Sequence, residues 1–109
     1  MGLRRNLEAM LQRGQDSALL RFSLGSECLK EGDAPAAIGH LDEALRQDPA
    51  YSAAWKKLGE AHVASGAPDR AAEVYRRGIE TAQAQGDVQA AREMQVFLRR
   101  LERAREGGA

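Results

Sequence analysis

The chain has 109 residues, with sixteen Lys and Arg against sixteen Asp and Glu, so its formal net charge is zero. That balance removes the electrostatic case for a dedicated nucleic-acid or anionic-membrane protein, and the length suits one domain with a modest core that needs neither disulfides nor a metal. Alanine, leucine, arginine, glutamate and glutamine dominate while aromatic residues make up only 5%, a composition that favours helices and contains no segment that reads as a strand.

The charge is spread almost evenly along the chain. Residues 1–54 hold six basic and eight acidic side chains and residues 55–109 hold ten and eight, too small an asymmetry to name a partner. Cys28 is the single cysteine and has no partner for an internal disulfide. No stretch approaches the roughly 18 apolar residues that a membrane helix requires. The segment Met1-Gly2-Leu3-Arg4-Arg5 begins basic, yet Asn6 and Glu8 follow where a secretory signal would have an apolar run. The expectation is a cytoplasmic location in a reducing environment, with no membrane contact.

Hydrophobic spacing and turn residues predict six helices, at about 3–13, 17–30, 34–47, 51–65, 68–84 and 87–105. The first carries Leu3, Leu7, Met10 and Leu11 on one face. The second and fourth each contain a Leu-Gly pair, Leu24-Gly25 and Leu58-Gly59. The third and fifth have a proline in the first turn, Pro35 and Pro68, where a missing N–H costs nothing. Asp48-Pro49 closes the third. Gly14, Gly32, Gly66 and Gly86 stand at four of the joints, as glycines at helix C-termini do. The last helix has Ala91, Met94, Leu98 and Leu101 on its apolar face, and residues 106–109 are expected to form a disordered tail.

Self-similarity is strongest at an offset of 34 residues. Leu24-Gly25 returns as Leu58-Gly59, Gly32 as Gly66, Ala37 as Ala71, Leu41 as Tyr75, Ala44 as Gly78 and Leu45 as Ile79. Small residues map onto small and large onto large, as expected where two helices approach closely beside a gap that a large side chain fills. Such an approach would also justify Gly25 and Gly59 inside helices, where glycine costs about 1 kcal/mol relative to alanine. Carried backwards, the offset takes Ala37, Leu41, Ala44 and Leu45 onto Leu3, Leu7, Met10 and Leu11. Carried forwards, it puts Arg92-Glu93 under Leu58-Gly59, so residues 87–105 complete no third repeat.

This pattern resembles the tetratricopeptide repeat, with its Trp, Leu-Gly, later Ala, aromatic and closing Pro. Residues 18–51 supply Leu24-Gly25, Ala37, Leu41, Ala44 and Pro49, and residues 52–85 supply Trp55, Leu58-Gly59, Ala71 and Tyr75. Arg21 stands where the second copy has Trp55, Gly78 replaces the usual alanine, and Gln83 replaces the closing proline, which permits a longer helix there. The resemblance implies an all-α, right-handed superhelical stack of antiparallel helix hairpins. Its single domain, residues 1–109, would comprise an N-terminal half-repeat helix (3–13), two repeats (18–51 and 52–85) and a C-terminal capping helix (87–105) covering the last apolar surface.

No phosphate-cradling glycine loop, HExxH pair or Cys/His metal cluster is present in the sequence, so neither enzyme chemistry, a metal nor a cofactor is expected. Cys28 and His62 fall on equivalent repeat positions facing the partner helix and read as packing residues. His40 has no second ligand or nucleophile and reads as a surface residue. Arg92, Arg99, Arg100, Arg103 and Arg105 gather in the last helix, but Glu93, Glu102 and Glu106 interrupt them and no aromatics interleave. An ordinary solvated face explains them better than an RNA or acidic-partner site.

In proteins of the resembled family the first helices of successive repeats line a concave groove that holds a peptide or helical segment of another protein. The 34-residue ladder places Leu19, Ala53 and Asp87 in one row of that groove, Phe22, Lys56 and Ala90 in a second, and Ser26, Glu60 and Met94 in a third, each column following i, i+3 and i+7 on one helical face. Phe22 and Met94 would be apolar anchors at opposite ends, with Lys56 and Glu60 between them, a mixture suited to an amphipathic segment. Phe22 and Ser26 stand where a carboxylate-clamping groove would carry basic and amide residues. A protein-interaction module is therefore the expected function, with self-association as a homodimeric assembly subunit as the second reading.

Overall fold

The computed structural model describes residues 2–107 as six helices: α1 (Gly2–Gln12), α2 (Ala18–Lys30), α3 (Ala34–Gln47), α4 (Ser52–Ala64), α5 (Pro68–Ala84) and α6 (Val88–Gly107). Their ends follow from local chemistry. Gly14, Gly32, Gly66 and Gly86 all have φ between 74° and 87°. The residue after each donates its N–H back to a carbonyl five positions earlier: Gln15 to Met10, Asp33 to Cys28, Ala67 to His62 and Asp87 to Ala82. This satisfies carbonyls that the helix end would leave bare. At the starts, Ser17 accepts a hydrogen bond from the Leu20 N–H, Asp33 from Ala36 and Asp87 from Ala90.

Consecutive helices pack as antiparallel neighbours, and the helices also sort into two layers. Helix α2 touches α4 and α4 touches α6, whereas α3 and α5 do not approach each other. Contact of α4 with α2 and α6, and its absence between α3 and α5, gives the stack two faces, an inner one on α2, α4 and α6 and an outer one on α3 and α5. The core runs between the layers through Leu24, Cys28, Leu41, Ala44, Trp55, Leu58, Tyr75 and Met94. The two Leu-Gly pairs mark close approaches within it. A Cβ on Gly25 would lie 2.6 Å from Leu41 Cγ, and one on Gly59 would lie 2.5 Å from Cζ of Tyr75. The glycines are required because Leu41 and Tyr75, which are themselves repeat equivalents, occupy that space.

Helix α1 is attached differently. None of its residues is buried, and it contacts only α2. Leu7, Met10 and Leu11 are half-buried while Leu3 is exposed. Arg4 ties the helix to the turn after α2, bonding Glu31 at 3.0 Å and Asp33 at 3.2 Å as well as Glu8 at 3.2 Å.

The C-terminal third departs from the sequence expectation. Without a proline at position 83, α5 continues to 17 residues, against 14 for α3. Its connection to α6 covers 85–87, one residue shorter than the connection of α3 to α4 across 48–51. The net effect is a shift of two: α6 starts at Val88, 36 residues after α4 starts at Ser52. Burial follows the same shift, since Ala54, Trp55 and Leu58 of α4 correspond to Ala90, Ala91 and Met94 of α6, all buried. Helix α6 thus packs on α5 as α4 packs on α3, in the place of a first helix of a further hairpin. It also extends through Glu106 and Gly107, which were expected in a disordered tail; Gly108 and Ala109 lie outside the described residues.

Candidate functional site

The inner face is built from the solvent side of α2, α4 and α6. On the first two helices the ladder residues stand where the repeat places them. Leu19 is 65% exposed and Ala53 is exposed beside it. Phe22 is half-buried, its ring 5.0 Å from that of Tyr51, which fixes it against the joint before α4. The Ser26 hydroxyl donates to the Phe22 carbonyl at 2.9 Å, so its polarity is spent within the helix. Lys56 donates to Glu93 at 2.9 Å across the α4–α6 contact, and Glu60 accepts from Lys57 at 3.3 Å.

On α6 the expected residues are not in the groove. Asp87 is the cap of the helix, Ala90 is buried, and Met94 is fully buried with its Sδ 2.5 Å from where a Cβ of Gly78 would lie. Met94 is a core residue that fills the gap left by Gly78, and it offers no apolar anchor. The two-residue shift is the cause. Gln89, Arg92 and Val96 occupy the corresponding places, all exposed. The sequence carried one signal for this, Gln83 in place of the closing proline.

With the shift applied, three of the five exposed large apolar side chains among the described residues, Leu19, Val63 at 46% and Val96 at 38%, fall on the inner face. The other two, Leu3 and Val88, lie near helix starts. Between α4 and α6 the face dips into a hollow of about 420 Å³ lined by Glu60, Val63, Tyr75, Phe97, Arg100 and Leu101. Tyr75 and Phe97 are 5.6 Å apart there, and burial together with the Glu60 charge pushes the Tyr75 hydroxyl up to about 12. Arg92, Arg99 and Arg103 share the α6 inner face at i, i+7 and i+11 with Val96. The nearby acids Glu93 and Glu102 are engaged by Lys56 and Arg76.

Cys28, His62, His40 and Arg21 serve the fold. Cys28 and His62 are buried at equivalent places, and burial pushes the thiol up and the imidazole down. His40 is more enclosed than a surface residue: its Nδ1 lies 3.2 Å from the Arg21 guanidinium, and burial, then the Arg21 charge, lower its pKa. Arg21, at the place of Trp55, also bonds Asp16 at 2.9 Å and holds that carboxyl at about 2. No group of three His, Cys, Asp or Glu side chains able to hold a metal occurs among the described residues, and no described helix is long and apolar enough to cross a membrane.

A two-layer stack of helix hairpins defines the chain as a helical repeat protein. Tetratricopeptide repeat models match residues 29–94 and residues 4–50. A TPR repeat-containing protein of Pseudomonas aeruginosa is 52% identical over 99 residues, spanning 91% of this chain and 94% of that one. Among solved structures, a protein from Bordetella parapertussis superposes with a TM-score of 0.86 at 43% identity, covering 95% of this chain and 90% of that one. A tetratricopeptide repeat domain protein from Salinibacter ruber superposes at 0.74 with 28% identity, covering 80% and 97%. The chain belongs to the tetratricopeptide repeat family.

Proposed function

We propose that this protein binds a segment of another protein along its inner face, acting as an adaptor or assembly subunit without catalysis of its own. The observation that carries this reading is the placement of Leu19, Val63 and Val96, three large apolar side chains exposed on one face of the stack. Exposed apolar area gathered on one face marks an interaction surface. Phe22 and Ala53 extend the apolar strip, and Arg92 and Arg99 border it on α6, a combination that suits an amphipathic segment with a carboxylate-bearing edge. A reducing cytoplasmic setting is in keeping with Cys28 as a buried free thiol.

The test is affinity capture of the tagged protein from its native cells, compared with a Leu19→Ser/Val96→Ser variant whose substitutions are exposed and leave the core alone. Recovery of one protein partner, reduced at least about tenfold by loss of two hot-spot contacts in the variant, is expected. Equal recovery by both would place binding elsewhere. Recovery of the protein alone would favour self-association.

A further inference from the structure

The outer face holds a second surface that the groove reading does not use. Because α3 and α5 do not approach each other, a cleft of about 500 Å³ opens between them, floored by Trp55, Leu58 and His62 of α4. Its walls are chemically unlike. Arg70, Val74 and Arg77 follow i, i+4 and i+7 on α5, whereas Ile38, Asp42 and Leu45 follow i, i+4 and i+7 on α3.

The charges along the cleft are not satisfied internally. Arg46 is held by Glu43, but Arg70, Arg77 and Asp42 have no ion-pair partner among the described residues within 4 Å. Arg77 lies over the Trp55 ring at 5.0 Å, an arrangement that leaves the outer side of its guanidinium free to pair. The Trp55 Nε1–H is already used on the Pro49 carbonyl at 2.9 Å, so the floor offers an apolar surface and no donor. Glu73 stands at the outer lip beside Arg70 and Val74. His62 lies between the walls, its pKa lowered chiefly by burial, with the Asp42 charge opposing that and the Arg70 charge adding to it.

We infer that this cleft is a second docking site, which takes an amphipathic helix of a partner protein with its apolar stripe over the half-buried Ile38 and Val74, above the Trp55 floor, and a row of carboxylates facing Arg70 and Arg77. The helix would lie across the outer layer, over the cleft between α3 and α5. Charge complementarity fixes its orientation: the acidic edge lies on the α5 side, and a neutral or basic edge faces Asp42. The site is independent of the inner groove, since none of its residues lies on that face.

Trp55 is the only tryptophan, so its emission reports the cleft floor directly. A displayed library of random 15-residue peptides would be selected separately on the unaltered protein and on an Arg70→Glu/Arg77→Glu variant, with circular dichroism confirming the helical fold of each. The unaltered protein should enrich Asp and Glu beside Leu, Ile or Phe, and synthetic copies of those peptides should change Trp55 emission. The variant should bind them about tenfold or more weakly, as expected for reversing two charge contacts, and should itself select Lys and Arg in their place. The Leu19→Ser/Val96→Ser groove variant should bind the same peptides unchanged. Identical selections on both proteins, no enrichment of acidic sequences, or binding without a change in Trp55 emission would each overturn the inference. If charge reversal prevents folding, Arg70→Gln/Arg77→Gln should still weaken binding severalfold, and unchanged affinity there would count equally against it.

Discussion

Two glycines with the same helical propensity show how one atom's surroundings set the stability of this protein. A methyl group on Gly59 would enter the Tyr75 ring, 2.5 Å from Cζ, whereas one on Gly39 would meet nothing within 4 Å. Alanine relieves a helix of about 1 kcal/mol of glycine's conformational cost at either site, but overpacking a buried contact costs about 1–3 kcal/mol. Gly39→Ala is therefore expected to stabilise the protein by up to about 1 kcal/mol in urea denaturation, and Gly59→Ala to destabilise it or leave no gain. A stabilised Gly59→Ala protein would mean that Tyr75 does not occupy that space. The cause of Gly59 was legible in the sequence, because the pairing of Gly25 with Leu41 and of Gly59 with Tyr75 recurs at one spacing. The pairing of Arg21 with His40 was not, because the repeat offers no second example: Trp55 stands at the equivalent place.

Helix length, more than residue type, decides which side of α6 faces the core. The sequence revealed that α6 is amphipathic, since Ala91, Met94, Leu98 and Leu101 follow a helical period. Its phase against the earlier helices was a different matter. A repeat offset counts residues, while the rotation of a helix on its neighbour depends on how far the preceding helix runs before the turn. Gln83 lets α5 continue, the turn closes at Gly86 with φ of 74°, and every position of α6 moves by two, carrying Met94 into the core and Val96 out of it. Their substitutions separate the two phases. Met94→Ala is expected to cost about 2–5 kcal/mol, the range for truncating a fully buried side chain, and Val96→Ala less than about 0.5 kcal/mol, as for an exposed site. Equal, small losses would return Met94 to the surface and restore the 34-residue phase.

At the scale of the whole molecule, the inner face is continuous because α2, α4 and α6 touch in sequence, and the outer face is open because α3 and α5 do not. The fold class could be read from the repeat alone. Which residues stand on the inner face was legible on α2 and α4, where Leu19, Phe22, Ala53 and Lys56 follow an unbroken offset, and illegible on α6 for the reason of phase. The outer cleft had no sequence signature, since Asp42, Arg70 and Arg77 are ordinary charged residues until two helices splay around a tryptophan. The central claim, that the inner face is the principal partner-binding surface, is tested most directly by site-specific photo-crosslinking in the native cells. A benzoylphenylalanine introduced at Val63 or Val96 is expected to capture one and the same partner protein, and the same group at Glu80, an exposed position of α5, is expected to capture none of it. Capture of that partner from Glu80 with none from Val63 or Val96 would contradict the account.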